Sequence, residues 1–135
     1  ASTALSPATG MNGMKTTPDI LVDNIEVEDF DAIVFVGGSG AMQHLDDVLF
    51  HRVARDAVAF DKLIGAICIA PAILAKAGIL QGRNATVYPS GVDYLKECSA
   101  SYTGRPVETD GDIITASGPD AAKEFGQALV KALNR

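Results

Sequence analysis

Two short, uninterrupted apolar runs separated by a helix-length amphipathic segment constrain the fold most strongly. The runs are "DAIVFV" at residues 31–36 and "KLIGAI" at residues 62–67. Such runs are typical of strands covered on both faces, as in a parallel sheet. The segment between them, "LDDVLFHRVARDAVAF", carries apolar residues at the spacing of one helix face, with Asp46 or Asp47 placed to cap its start. Strand, helix and strand predict a right-handed crossover unit.

The alternation of helices and strands continues along the chain. A helix from about Pro71 to Ala77, a strand at "ATVY" and a helix over "GVDYLKEC" are expected in that order. Apolar and β-branched residues then flank Asp110-Gly111, a dipeptide suited to a tight turn, which predicts an antiparallel hairpin near residues 107–117.

The two ends of the chain complete the predicted architecture. An amphipathic helix whose first position is Pro119 closes the chain, and only "DILV" at residues 19–22 reads as a strand within the first thirty residues. The fold class is therefore α/β. We expect a three-layer sandwich with a mostly parallel sheet and helices on both faces, forming one domain over residues 1–135.

Composition narrows the possible partners. The 135 residues include 17 acidic and 11 basic side chains, a net charge of -6, so nucleic acid and anionic membrane surfaces are not expected partners. No run approaches the roughly 20 apolar residues of a membrane span. Two cysteines and two histidines are too few for a disulfide framework or a zinc site, so we predict no metal, no cofactor and a cytoplasmic location.

Two strand ends carry candidate chemistry. In "VGGSGA", Gly37, Gly38 and Gly40 allow a tight turn that points backbone N–H groups into a crevice, although a merely flexible turn has the same pattern. In "IGAICIAPAIL", Cys68 lies between an expected strand and an expected helix, with alanines two residues to either side. A nucleophile in a sharp strand-to-helix turn has this spacing, and the start of a helix favours a thiolate. A small buried core cysteine is the alternative.

Three segments, in order, resemble a known superfamily over nearly the whole chain. They are "DAIVFVGGSGA", "IGAICIAPAILAKAGILQGRNATVYPS" and "DGDIITASGPDAAKEFGQALV". The superfamily is ThiJ/PfpI, the DJ-one-type proteins, with a flavodoxin-like fold similar to that of class I glutamine amidotransferases. The resemblance implies that Cys68 is the nucleophile of a sharp turn, the nucleophile elbow, and that the backbone N–H groups of Gly38 and Ile69 form an oxyanion hole. It also implies a homodimer acting on a small molecule, with a pocket that includes Gly37, Ser39, Tyr88 and Pro119.

The chain departs from the family pattern at three places. Protease-like members have a histidine directly after the cysteine, whereas Ile69 cannot act as a general base. Other members have a histidine where this chain has Tyr88. Members also begin with a central strand and helix whose connection supplies a glutamate to the cysteine, and residues 1–30 resemble the segment after that unit. We therefore expect an N-terminally incomplete fragment of a protein roughly a quarter longer, with the missing segment as a partner and the neighbouring strand edges open.

Three functions stay open. The first is a cysteine-dependent hydrolase or lyase-like enzyme acting on small carbonyl or amide compounds, without peptidase activity. The second is a redox or stress sensor that works by oxidation of Cys68. The third is a binding domain without chemistry. Of the other candidates, His44 is interpreted as a solvated residue at the start of a helix, His51 as a surface residue and Cys98 as an incidental thiol.

Overall fold

A four-stranded sheet between two layers of helices forms the centre of the protein. The computed structural model describes residues 1–10 and 12–134. The strands are β1 (Ala8–Thr9), β2 (Lys15–Thr16), β3 (Ala32–Val36), β4 (Leu63–Ile67), β5 (Asn84–Ala85), β6 (Ser101–Tyr102), β7 (Val107–Asp110) and β8 (Ile113–Ala116). The helices are α1 (Val48–Ala59), α2 (Ala70–Lys76), α3 (Val92–Glu97) and α4 (Ala122–Leu133).

The strand order brings three carboxyl ends together. The sheet has the order β3-β4-β8-β7, in which β3, β4 and β8 are parallel and β7 is antiparallel to β8. The β7–β8 turn contains Gly111 at a φ of 60°, in the left-handed region, as the Asp-Gly dipeptide predicts. Ligands of open α/β sheets bind beyond the carboxyl ends of the strands. A ligand-binding site is therefore expected at the loops that follow β3, β4 and β8.

Helices cover the sheet on both faces, as predicted. α1 and α2 pack on one face of β4, and α4 packs on the other face against β4 and β8. Gly65 in β4 allows α4 to approach closely, because a Cβ there would lie 3.0 Å from the side chains of Phe125 and Leu129. Among the described residues, no helix is both long and apolar enough to cross a membrane.

β3 is an edge strand with an exposed apolar face. Within residues 1–10 and 12–134, no strand pairs with the side of β3 that faces away from β4. Val34 is in register with Gly65, so Val34 and Val36 lie on the face of the sheet that α4 covers elsewhere. They are 41% and 76% exposed, because α4 packs over β4 and β8 and leaves this part of β3 bare. Such an edge is a template for strand pairing.

Two predicted elements have other ends in the structure, and a third is not formed. Of "ATVY", only Ala85 belongs to a strand, together with Asn84, because the N–H of Thr86 donates to the side-chain hydroxyl of Thr115 (3.0 Å) and not to a backbone carbonyl. Pro119 begins a 3-10 turn, and α4 starts only at Ala122. "DILV" is not a strand, since Val22 begins a 3-10 turn.

Candidate active site

Cys68 occupies a sharp turn between β4 and α2 with a left-handed backbone. Its φ is 65°, a conformation that costs a non-glycine residue about 1–2 kcal/mol. Two hydrogen bonds hold this peptide in place. The Cys68 N–H donates to the Ala116 carbonyl at the end of β8 (3.0 Å), and the Tyr88 N–H donates to the Cys68 carbonyl (2.8 Å). The residue is partly buried and packs against the core cluster that contains Ile67 and Ala116, but it is not fully enclosed.

Gly37, directly after β3, lies against the turn and must lack a side chain. A Cβ on Gly37 would lie 2.6 Å from the Ile67 carbonyl oxygen, 2.8 Å from the Ala70 nitrogen and 2.9 Å from the Ile69 nitrogen. All three atoms belong to backbone, so none can move aside cheaply. The Gly37 N–H also donates to the Ile67 carbonyl (3.2 Å). The glycine loop and the Cys68 turn therefore pack directly on each other.

Two backbone N–H groups at this junction have no backbone acceptor. Among the loop and turn hydrogen bonds of the described chain, neither the Gly38 N–H nor the Ile69 N–H is a donor. Gly38 follows the glycine that touches the turn, and Ile69 follows Cys68, so both groups belong to the same junction. Unshared N–H groups beside a nucleophile are suited to stabilising negative charge on a carbonyl oxygen.

The Ile69 side chain lies in the core and not in the site. It is 3% exposed, and its Cδ1 would lie 2.9 Å from a Cβ on Gly91. Val87, itself fully buried, fills the space on the same side of Gly91. Position 69 therefore contributes its backbone to the junction with Gly37, whereas its side chain stabilises the core beneath α2.

The other predicted pocket residues are distributed around this junction. Tyr88 is 45% exposed, and its backbone is joined to Cys68 by the hydrogen bond described above. Ser39 and Pro119 are exposed and begin 3-10 turns after β3 and β8, the two strands beside β4. They share the same edge of the sheet, but no hydrogen bond or ring contact joins either to Cys68.

The two histidines belong to a cluster at the start of α1. His44 Nδ1 lies 3.1 Å from Asp47 Oδ2, and its ring stacks on Phe50 at a centroid distance of 4.6 Å. His51 is partly buried, not fully at the surface as predicted, and its Nε2 lies 2.7 Å from the Leu45 carbonyl oxygen. Burial, the largest influence on the pKa of Asp47, raises it, but the Leu49 N–H and the two histidines together bring that pKa below its ordinary value. Both imidazoles are therefore engaged locally at this helix.

Three buried polar residues near the sheet, Thr86, Thr115 and Glu108, were not predicted from the sequence. Thr115 in β8 accepts a hydrogen bond from the Thr86 backbone, and the hydroxyl of Thr86 has no partner among the described residues. Glu108 in β7 is 6% exposed and accepts a hydrogen bond from the Thr103 hydroxyl (3.2 Å). In the sequence, all of these residues lie in alternating strand-like stretches, where nothing separates an inward from an outward polar residue.

Two grooves of the protein lie away from the Cys68 turn. A shallow groove of about 600 Å³ runs along the outer side of α4, and one of about 160 Å³ lies near the β7–β8 turn. Cys68 lines neither of them. In residues 1–10 and 12–134, no group of three His, Cys, Asp or Glu side chains is placed to hold a metal ion.

Known proteins resemble this chain in sequence and in fold. A family model described as the DJ-1/PfpI family matches residues 1–132. An uncharacterized protein of Methanocaldococcus jannaschii is 37% identical over 99% of this chain and 67% of its own length. The glutathione-independent glyoxalase DJR-1.2 of Caenorhabditis elegans is 28% identical over 98% of this chain and 71% of its own. The crystal structure of a ThiJ/PfpI domain protein from Brachyspira murdochii superposes with a TM-score of 0.94 at 31% identity, covering 98% of this chain and 78% of that one. The predicted resemblance and fold class are confirmed.

The left-handed backbone of Cys68 predicts an unusual stability effect. Relative to Cys68→Ala, we expect Cys68→Gly to raise the free energy of unfolding by about 1 kcal/mol, because relief of the left-handed strain exceeds the extra chain entropy of glycine. Urea denaturation of the two variants measures the difference. Ala72→Gly, inside α2, is the matched control and should lower stability by about 1 kcal/mol. Equal stability of Cys68→Gly and Cys68→Ala would contradict the left-handed turn.

The contact of Gly37 with the turn predicts a contrast between adjacent glycines. Gly37→Ala should lower the free energy of unfolding by about 3 kcal/mol, since its methyl group would overlap three backbone atoms. Gly38→Ala should change it by less than about 1 kcal/mol, because a Cβ there meets no atom within 4 Å and φ is 163°. Chemical denaturation of both variants tests the contrast, and a harmless Gly37→Ala would show that the loop does not pack on the turn.

Proposed function

This chain belongs to the DJ-1/PfpI family, and on that premise we propose that it is an enzyme whose nucleophile is Cys68 and whose substrates are small 2-oxoaldehydes. The observation that carries the proposal is the partly exposed cysteine in a left-handed strand-to-helix turn, with two unshared backbone N–H groups beside it. The glyoxalase activity in the name of the Caenorhabditis elegans relative supports the substrate class.

The proposed reaction needs no external oxidant. The Cys68 thiolate attacks the aldehyde carbon, a C–S bond forms, and the carbonyl π electrons move to oxygen, where the N–H groups of Gly38 and Ile69 stabilise the charge. A proton then leaves the aldehyde carbon, and the neighbouring ketone carbon gains one. The aldehyde carbon is thereby oxidised and the ketone carbon reduced, which gives a thioester of a 2-hydroxy acid. Water hydrolyses this thioester and frees the thiol.

The buried Ile69 side chain favours a carbonyl substrate over an amide. Cleavage of an amide requires a proton for the departing nitrogen, and an imidazole after the nucleophile is one way to supply it. Here position 69 is apolar and faces the core. An aldehyde has no leaving group, so addition of the thiolate does not depend on such a donor. Peptidase activity is accordingly not part of the proposal.

Loss of the Cys68 sulfur should abolish turnover of methylglyoxal. We expect Cys68→Ala to lower kcat/KM by at least about 1000-fold, since the residue that forms the covalent intermediate is removed. Formation of the 2-hydroxy acid is measured directly. Cys98→Ala is the matched control and should keep full activity, because Cys98 caps the end of α3, whereas the start of α3, at Gly91, is the end that packs against Ile69.

Two results would overturn the proposed activity. Methylglyoxal turnover that persists in Cys68→Ala would rule out the cysteine route. Absence of turnover by the unmodified protein would rule out the enzyme, and mild peroxide treatment with mass spectrometry would then separate the remaining functions. Selective oxidation of Cys68 over Cys98 would favour a redox sensor. Equal reactivity of the two thiols would favour a binding domain.

We also propose that a strand and an amphipathic helix, from a segment outside residues 1–135, complete the outer edge of β3. The support is the exposed apolar face of Val34 and Val36, which one helix beside α4 would cover. The relatives named above are longer than this chain, which spans 67% and 71% of their lengths. A strand next to β3 would also end near the glycine loop, where a proton-transfer group for Cys68 is needed.

Hydrogen exchange of β3 tests this completion. In the 135-residue chain, the outward N–H groups of Ala32–Val36 should exchange rapidly, because no strand among the described residues pairs with that side of β3. In the native gene product they should be protected, and the intact mass of that product should exceed 14.1 kDa. A native product of 14.1 kDa with rapidly exchanging β3 amides would contradict the proposal.

A further inference from the structure

Tyr88 is held near the Cys68 turn at two points. Its backbone N–H donates to the Cys68 carbonyl (2.8 Å), which fixes the main chain. Its ring lies against Gly118, where a Cβ would be 3.3 Å from Cδ2 and 3.8 Å from Cε2. The ring is 45% exposed, so one part packs on the protein and the rest faces solvent at the open edge of the sheet. Tyr88 thus connects the turn after β4 with the loop after β8.

The Tyr88 ring, and not the backbone conformation of Gly118, restricts which side chain fits at position 118. Its φ is 163°, extended backbone that any residue adopts, so no left-handed conformation demands glycine. The residue is buried, and the atoms of Tyr88 are the ones that a side chain there would meet. A separation of 3.3 Å is tighter than ordinary van der Waals contact, so an alanine methyl would push the ring by a few tenths of an ångström.

Gly118 is also tied to the nucleophile through the sheet. It lies two residues after Ala116, whose carbonyl accepts the hydrogen bond from the Cys68 N–H (3.0 Å). The ring of Tyr88 therefore rests on the segment that also holds the Cys68 backbone. A displacement of the ring leaves both hydrogen bonds at Cys68 intact, because backbone atoms make them.

We propose that Gly118 is a positioning residue whose missing side chain sets the Tyr88 ring as one wall of the Cys68 site and so determines how large an electrophile reaches the sulfur. The selection of small aldehydes over aryl-substituted ones rests on the function proposed above. The wall itself does not, because any electrophile that reacts with Cys68 must pass the same ring.

Alkylation of Cys68 tests the wall without requiring turnover. In a Cys98→Ala background, rates of Cys68 modification are measured with iodoacetamide and with the bulkier N-phenyliodoacetamide. Since about 1 Å of misplacement costs on the order of 100-fold, we expect Gly118→Ala to change the ratio of the two rates by about three-fold. With Tyr88→Ala as well, Gly118→Ala should change the ratio by less than about 1.5-fold, because the two residues then no longer interact.

Matched variants and outcomes keep the test decisive. Gly126→Ala adds a methyl group where nothing lies within 4 Å and should leave the rate ratio unchanged. An unchanged ratio in Gly118→Ala, or an equal change with and without Tyr88, would overturn the proposal. If Gly118→Ala does not fold, recovery of folding in Tyr88→Ala/Gly118→Ala supports the proposal, and failure of both variants to fold overturns it.

Turnover of methylglyoxal and phenylglyoxal tests substrate selection in a separate experiment. Absence of turnover of both compounds rejects only the enzyme function. The ratio of the alkylation rates still tests whether the Tyr88 ring is a wall of the Cys68 site.

Discussion

The left-handed backbone of Cys68 depends on contacts from the ends of the two neighbouring strands and from the backbone of Tyr88. Its strain, about 1–2 kcal/mol, must be offset by the surrounding structure. The carbonyl at the end of β8 accepts its N–H, and the Tyr88 N–H binds its carbonyl. Gly37, at the end of β3, touches the following peptides from the other side. The order β3-β4-β8 is therefore what makes this turn possible.

In the Cys68 turn, the backbone and the side chain of Ile69 have different roles. Its N–H lies at the junction with Gly37, whereas its side chain packs under α2 against Gly91 and Val87. Replacing an imidazole by isoleucine at this position removes a base without disturbing the N–H donors, because those donors belong to backbone. In the proposed enzyme, the N–H groups that stabilise the oxyanion and the group that transfers protons are thus independent of each other.

The sequence was sufficient for the parts of the site that depend on local pattern. Apolar runs predicted β3 and β4, Asp110-Gly111 predicted the hairpin, and the spacing of small residues predicted the turn at Cys68. It was insufficient where a long-range contact decides the structure. The strand at Ala85 ends before Thr86, because the Thr86 N–H donates to the hydroxyl of Thr115, 29 residues away. The packing of Tyr88 on Gly118 likewise joins residues that no local periodicity relates.

The contacts that hold the Cys68 turn differ between the β8 side and the β3 side. On the side of β8, Cys68 has a hydrogen-bonded neighbour, a buried glycine and an aromatic ring. On the side of β3, the Gly37 backbone touches the turn, and Val34 and Val36, which precede it in the strand, are exposed. On the β8 side, the Tyr88 ring is the wall that we propose for the approach to the sulfur. On the β3 side, the contacts that hold the turn are made by the Gly37 backbone, so the proton-transfer group of the proposed enzyme need not replace a side chain that holds the turn.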